Sequence, residues 1–153
     1  MPDNRAALNS GERQVSPTLK GIRADHTARY FWAGDIIPNG SRVIDLACGI
    51  GYGTYIMAEA GHQVTGGDIS AESIAYAGRH YAHPRAEFRT MDAEKVGKLP
   101  EYDVAVTFET IEHVEDPRPL LKALLCAPKL LASVPNEKYF PFAGHKFHFR
   151  HYT

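Results

Sequence analysis

The chain has 153 residues, 44 % hydrophobic and 23 % charged, which suffices for one domain with a buried core and little more. Seventeen Lys and Arg against eighteen Asp and Glu give a formal charge of −1, so no overall field draws the protein to nucleic acid or to an anionic membrane. Two cysteines, Cys48 and Cys126, cannot build a disulfide framework and read as reduced thiols, no apolar run is long enough to span a bilayer, and Met1-Pro2-Asp3-Asn4-Arg5 lacks the order of a secretory signal. The expected setting is cytoplasmic.

Residues 1–18 mix Asn, Ser, Gly, Pro and charges without periodicity and read as a flexible arm, leaving 19–153 as the folded domain. Over 20–37 the positions Ile22, Tyr30, Ala33 and Ile37, with His26 and Arg29 on the polar edge, fit one helical face, stopped by Pro38-Asn39-Gly40. Thereafter the pattern alternates: strand 42–47, helix 52–60, strand 62–67, helix 71–80, strands 86–90 and 102–108, helix 117–126 and strand 129–134. Ser70 followed by Ser73 is an incomplete capping box before the third helix, though Glu72 still suits a helix N-terminus. Alternation of this kind predicts a doubly wound, mostly parallel α/β sheet with right-handed crossovers.

The most specific stretch is 43–53, an apolar strand that carries Asp45 and opens into a turn holding Gly49, Gly51 and Gly53. Glycine lets backbone N–H groups approach a ligand where the next helix begins. The triplet alone is weak, because dinucleotide dehydrogenases use a related turn. Its neighbours sharpen it: Asp68 ends the second strand about 20 residues on, where a carboxylate can accept both ribose hydroxyls. A dehydrogenase has no use for an acid such as Asp45 in its first strand. Asp45, Asp68, Asp92 and Glu109 lie at four strand ends, and ligands in open α/β sheets bind across those ends. The plainer alternative makes each acid a turn former.

These residues resemble the class I S-adenosylmethionine-dependent methyltransferases from Ile22 to Thr153. Asp45 to Gly53 is similar to the family's first motif, with Ala47 where a glycine is often found. Asp68-Ile69-Ser70 resembles the ribose-binding strand end, Phe88 to Ala93 the third strand with Asp92 placed for the adenine amino group, Tyr102 to Pro117 the fourth strand and its loop, and Leu130 to Asn136 the fifth. The resemblance implies a cofactor site of Arg29, Tyr30, Asp45, Ala47, Cys48, Gly49, Gly51, Tyr52, Gly53, Asp68, Ile69, Ser70, Asp92, Ala93, Phe108 and Glu109. Within it Arg29 and Tyr30 serve the methionine end, although a solvated Arg beside a core Tyr accounts for that pair equally well. The family closes its sheet with two further strands, so the resemblance implies an open edge here and predicts a homodimer that covers it.

Methyl transfer from a sulfonium gains mostly from alignment in a water-poor site, but a hydroxyl acceptor must also lose its proton. Glu109, Glu112 and His113 lie within one helical turn, and with His148, or the alternative His145, they could hold Mg²⁺ or Mn²⁺. A similar Glu-x-x-Glu-His with a later histidine occurs in small-RNA 2′-O-methyltransferases and ubiquinone-pathway O-methyltransferases. Many non-metal relatives instead place the glutamate near the cofactor and use the histidine as a base or for packing, so Glu109 and His113 are also the candidate catalytic pair. Between 139 and 153, polar and aromatic residues alternate, which fits a half-buried strand or a substrate lid better than a nucleic-acid surface. The combined expectation is O-methylation of a small molecule or sugar hydroxyl. The alternatives are a cofactor-binding, non-catalytic subunit and a metal-assisted RNA 2′-O-methyltransferase.

Overall fold

The computed structural model describes residues 8, 11, 13–96, 99, 101–125, 127–143 and 146–153. Most of the expected arm, together with Cys126 and His145, lies outside the described residues.

Ser41 closes the turn after Pro38, and Arg42–Leu46 forms β1, followed by α2 (Tyr52–Glu59) once α1 (Ala24–Ile36) has been laid down before it. Gln63–Asp68 is β2, Ala71–His80 is α3 and Ala86–Thr90 is β3. Val104–Phe108 is β4, Arg118–Leu124 is α4 and Lys129–Ser133 is β5. The five strands are all parallel in the order β3-β2-β1-β4-β5. Strand order therefore reverses between β1 and β4, which opens a crevice at their carboxyl ends.

Both central strands are apolar and buried on two faces, as a parallel sheet covered by helices requires. Val43, Val64, Val104 and Val106 pack under Tyr30, Ala33 and Ile37 of the first helical segment and Ile56 and Met57 of α2. Ile44, Leu46 and Ala105 point to the other face, against Leu120, Ala123 and Leu124 of α4 and Ile111 of the loop after β4. The period-2 alternation along β1 thus divides the core into two layers.

Two sequence expectations are corrected. The first helix starts at Ala24: Leu19–Gly21 makes a 3₁₀ turn, and Ile22 and Arg23 are extended, with ψ of 138° and 139°. The Arg23 N–H donates to Gln14 Oε1 at 2.8 Å, and Gly21 packs so closely on Ser16 that a Cβ would fall 2.1 Å from its hydroxyl. Side-chain contacts from the preceding segment therefore override helical periodicity, and Arg29-Tyr30 sits in the middle of the shorter helix. The second correction concerns the alternating segment 139–153, which contains no strand among its described residues beyond a single bridge between Asn136 and Tyr152. Its polar groups turn inward on the loop after β4.

Candidate cofactor and metal site

A cleft of about 840 Å³ lies over the carboxyl ends of β1, β2 and β4. Two non-glycine residues with left-handed backbone, Ala47 (φ 64°) and Glu109 (φ 51°), immediately follow the strands on either side of the reversal. Such a conformation costs roughly 1–2 kcal/mol for an L-residue, and strain of this kind concentrates at functional sites. Both residues line the cleft.

The glycine turn divides into two kinds of position. Gly49 (φ 57°) lines the cleft, and a Cβ there would meet nothing within 4 Å. Gly51 (φ 90°) and Gly53 face the protein: a Cβ on Gly51 would lie 2.6 Å from Ala77 Cβ and 2.7 Å from the Phe88 ring, and one on Gly53 2.3 Å from the Tyr30 ring. Their absent side chains let α2 pack against α3, β3 and α1. Asp45 is likewise behind the wall. It is fully buried, its Oδ2 accepts from Thr54 Oγ1 at 2.7 Å, and burial pushes its carboxyl up to about 7. Ser70 caps α3, its Oγ accepting from Ser73 N at 3.1 Å. Asp45, Gly51, Gly53 and Ser70 therefore support the cleft without lining it.

The remaining predicted cofactor positions do line it: Arg29, Tyr30, Ala47, Cys48, Gly49, Tyr52, Asp68, Ile69, Asp92, Ala93, Phe108 and Glu109. Asp68 is a buried carboxylate that accepts from Gly49 N at 2.9 Å through Oδ2 and from Ser70 N at 2.9 Å through Oδ1. It is thereby fixed at the strand end with its acid facing the cleft. Arg13, in the segment read as a flexible arm, reaches Asp68 Oδ1 at 3.2 Å and lines the cleft with Gln14. No local motif marks it, because the contact spans 55 positions. Asp92 closes the far end, accepting from Glu94 N at 2.9 Å and pairing with Lys95 at 3.0 Å.

The opposite end holds Glu112, His113 and His148, each offering a ligand atom within 4.8 Å of the others. Ile111–His113 forms a 3₁₀ turn that buries Glu112 completely. Neither Glu112 carboxyl oxygen has a hydrogen-bond partner among the described residues, and burial pushes this acid up to about 7. A buried acid without donors is costly as an anion, and either a proton or a neighbouring cation relieves that cost. His113 Nδ1 lies 3.0 Å from Phe147 O, which can only accept, so the proton sits on Nδ1 and, in the uncharged ring, Nε2 carries the lone pair. That Nε2 is 3.8 Å from Glu112 Oε1. The segment after β5 is tied down here: Phe149 N donates to Glu112 O at 2.7 Å, and Arg150 donates to Val114 O at 2.7 Å. Glu109 stands apart from the three. Its carboxylate accepts from Ser133 Oγ at 2.7 Å and lies 3.9 Å from Arg29. The four-residue set expected from sequence is thus gathered as three, with Glu109 facing the cofactor side of the cleft.

The fit of an adenosyl-amino-acid cofactor rests on this chain's own groups: an open glycine at the helix N-terminus, a fixed acid at the second strand end, and Arg29 at the other side of the crevice. A model of the family described as "Methyltransferase domain" matches residues 44–125. The chain is 31 % identical over 127 residues to a ubiquinone biosynthesis O-methyltransferase of Bordetella avium, covering 79 % of this chain and 53 % of that protein. It is 35 % identical over 114 residues to the enzyme of the same name from Cronobacter sakazakii, covering 72 % and 44 %. The chain spans about half the length of the curated relatives it matches. Among solved structures, an S-adenosylmethionine-dependent methyltransferase from Mesorhizobium loti superposes with a TM-score of 0.56 at 26 % identity, covering 63 % of this chain and 46 % of that one. No described helix is long and apolar enough to cross a membrane. With the parallel sheet, the crevice at its reversal and the matched motifs in agreement, the chain belongs to the class I S-adenosylmethionine-dependent methyltransferases.

Proposed function

We propose that this protein transfers a methyl group from S-adenosylmethionine to a hydroxyl of a small molecule or sugar, with a divalent cation held by Glu112, His113 and His148. The observation that carries the oxygen acceptor is Glu112: a fully buried carboxylate with two unpartnered oxygens beside two imidazoles is a cation site, and a cation is useful where an acceptor hydroxyl must ionise. The names of the Bordetella and Cronobacter relatives support the same class of acceptor.

In this reading Gly49 lets the cofactor approach the turn, Asp68 accepts from the ribose hydroxyls and Asp92 from the adenine amino group. Arg29 pairs with the cofactor carboxylate, where a guanidinium can bind two oxygens at once. Glu109, held by Ser133, borders the sulfonium. S-adenosylmethionine supplies a methyl group on an excellent leaving group, so the chain's part is alignment and exclusion of water. Phe140 and Phe147 line the acceptor end and supply apolar walls. A bound Mg²⁺ or Mn²⁺ would lower the pKa of an acceptor hydroxyl on it. The ionised Glu112 and the Nε2 lone pair of His113 provide the ligand charge and the donor that such an ion needs.

The test is methyl transfer from labelled S-adenosylmethionine to a panel of phenolic and sugar hydroxyls, with and without chelator. Turnover that disappears with chelator and returns with Mg²⁺ or Mn²⁺ is expected. Unchanged turnover in excess chelator would remove the metal, and cofactor binding without turnover on any acceptor would favour a non-catalytic subunit.

A further inference from the structure

Behind His148 lies a hydrogen-bonded chain that neither the cofactor nor the acceptor reading uses. His148 Nδ1 meets Nε2 of His151 at hydrogen-bond distance. His151 Nδ1 is 2.6 Å from Phe140 O and 3.1 Å from Glu137 Oε2, and the His151 side chain is only 1 % exposed. Glu137 is itself fixed: its carboxylate accepts from Phe142 N at 3.1 Å, and its own N–H donates to Tyr152 O at 2.9 Å.

These contacts determine where the protons sit. A carbonyl and a carboxylate can only accept, so His151 must carry its proton on Nδ1. In the uncharged ring, Nε2 of His151 is then a lone pair, and the hydrogen bond to His148 requires the proton on His148 Nδ1. That leaves the lone pair of His148 on Nε2, the form in which an imidazole ligates a metal. Ordinary solvated histidine favours the other tautomer, so the arrangement is imposed by the two residues behind it.

We propose that Glu137 and His151 are positioning residues of the cation site, holding His148 in the tautomer and ring orientation that present Nε2 to the ion beside Glu112 and His113. The inference rests on the metal reading above and extends it to two residues outside the cleft lining. Neither lies in the segment matched by the family model.

Mn²⁺ affinity, read from the resonance of the free ion, and side-chain ¹⁵N NMR of the metal-free full chain test it together, in buffer alkaline enough to keep the imidazoles uncharged. In the unsubstituted protein His148 is expected as the Nδ1–H tautomer. His151→Ala should weaken Mn²⁺ binding by roughly 10- to 100-fold while leaving S-adenosylhomocysteine affinity unchanged. His151→Gln, whose amide oxygen can accept from His148, should recover most of the loss. Mn²⁺ binding by His151→Ala at the original affinity would overturn the proposal while Glu112→Gln, by losing the ion, upholds the site. If the unsubstituted chain takes up no Mn²⁺ and Glu112→Gln changes nothing, the metal reading fails and the proposal falls with it. Should His151→Ala lose S-adenosylhomocysteine binding as well, the tautomer of the unsubstituted protein decides, and His148 found as Nε2–H overturns the assignment.

Discussion

Gly49 and Gly51 stand two residues apart in one motif and serve different ends. Both have positive φ, but the space around them differs: open cleft at Gly49, Ala77 and the Phe88 ring at Gly51. Gly49→Ala is expected to cost about 1 kcal/mol of stability, from the left-handed backbone alone, and to weaken S-adenosylhomocysteine binding by placing a methyl group where the ligand must approach. Gly51→Ala adds overpacking of about 1–3 kcal/mol to the same backbone term, so its main effect is a lowered Tm. Thermal unfolding and calorimetric titration of both variants check the division; equal Tm losses would contradict it. From the sequence all three glycines and Asp45 look alike as cofactor positions, because a motif marks a turn and not which atoms of that turn meet a ligand. The alternation along β1 gives the face on which Asp45 lies. Its depth is set by Tyr30 and Thr54, from α1 and α2, and that is a tertiary fact.

Asp45 brings the element scale into the pH dependence. It sits in the middle of the sheet, paired by register with Gly66 and Val106, and its Oδ2 accepts from Thr54 Oγ1, which joins β1 to α2. Burial raises its pKa from 3.8 to about 7. A raised folded-state pKa means that the native protein binds this proton more tightly than the unfolded chain. Its contribution to stability is therefore fully present below about pH 3.8 and is lost as pH rises through about 7. At ~1.4 kcal/mol per pKa unit, the contribution is on the order of a few kcal/mol. Denaturant unfolding across this window should show stability falling with pH, with a flatter slope in Asp45→Asn, which keeps the bond to Thr54. An unchanged slope in the variant would contradict the buried acid. The order of the elements was legible because period-2 and period-3.6 patterns are local; α3 and β3 run over the residues the pattern marks. The start of α1 was not, since Gln14 and Ser16 reorganise 19–23 from outside the helix. Nor was the fold of 139–153, where alternation signals a strand but Glu137, His151, Phe149 and Arg150 spend their hydrogen bonds on the loop after β4 and on each other.

At the scale of the whole molecule, the proposed function places two chemistries at opposite ends of one cleft. In the proposed function, Gly49 after β1, Asp68 at the end of β2 and Asp92 after β3 serve an adenosyl ligand, while Glu112 and His113 on the loop after β4, with His148 from the segment beyond β5, serve a cation. Most of the residues that line the cleft at the ends of β1 and β2 were readable as a set, because strand-end acids and a glycine turn lie at fixed offsets along the chain. The cation end was readable only as a candidate set: the spacing of Glu109, Glu112 and His113 suggested it, while the structure turns Glu109 toward Ser133 and Arg29. Arg13 on Asp68 could not be anticipated, and the pair brings the segment before α1 onto the end of β2. The cofactor site is the claim on which the rest depends, and calorimetric titration with S-adenosylhomocysteine, of the unsubstituted chain and of Asp68→Ala, tests it most directly. Micromolar binding is predicted, weakened roughly tenfold or more in Asp68→Ala by the loss of ~1.5–3 kcal/mol of charge-assisted hydrogen bonding. Absence of binding in the folded unsubstituted chain, or equal affinity in the variant, would contradict the assignment.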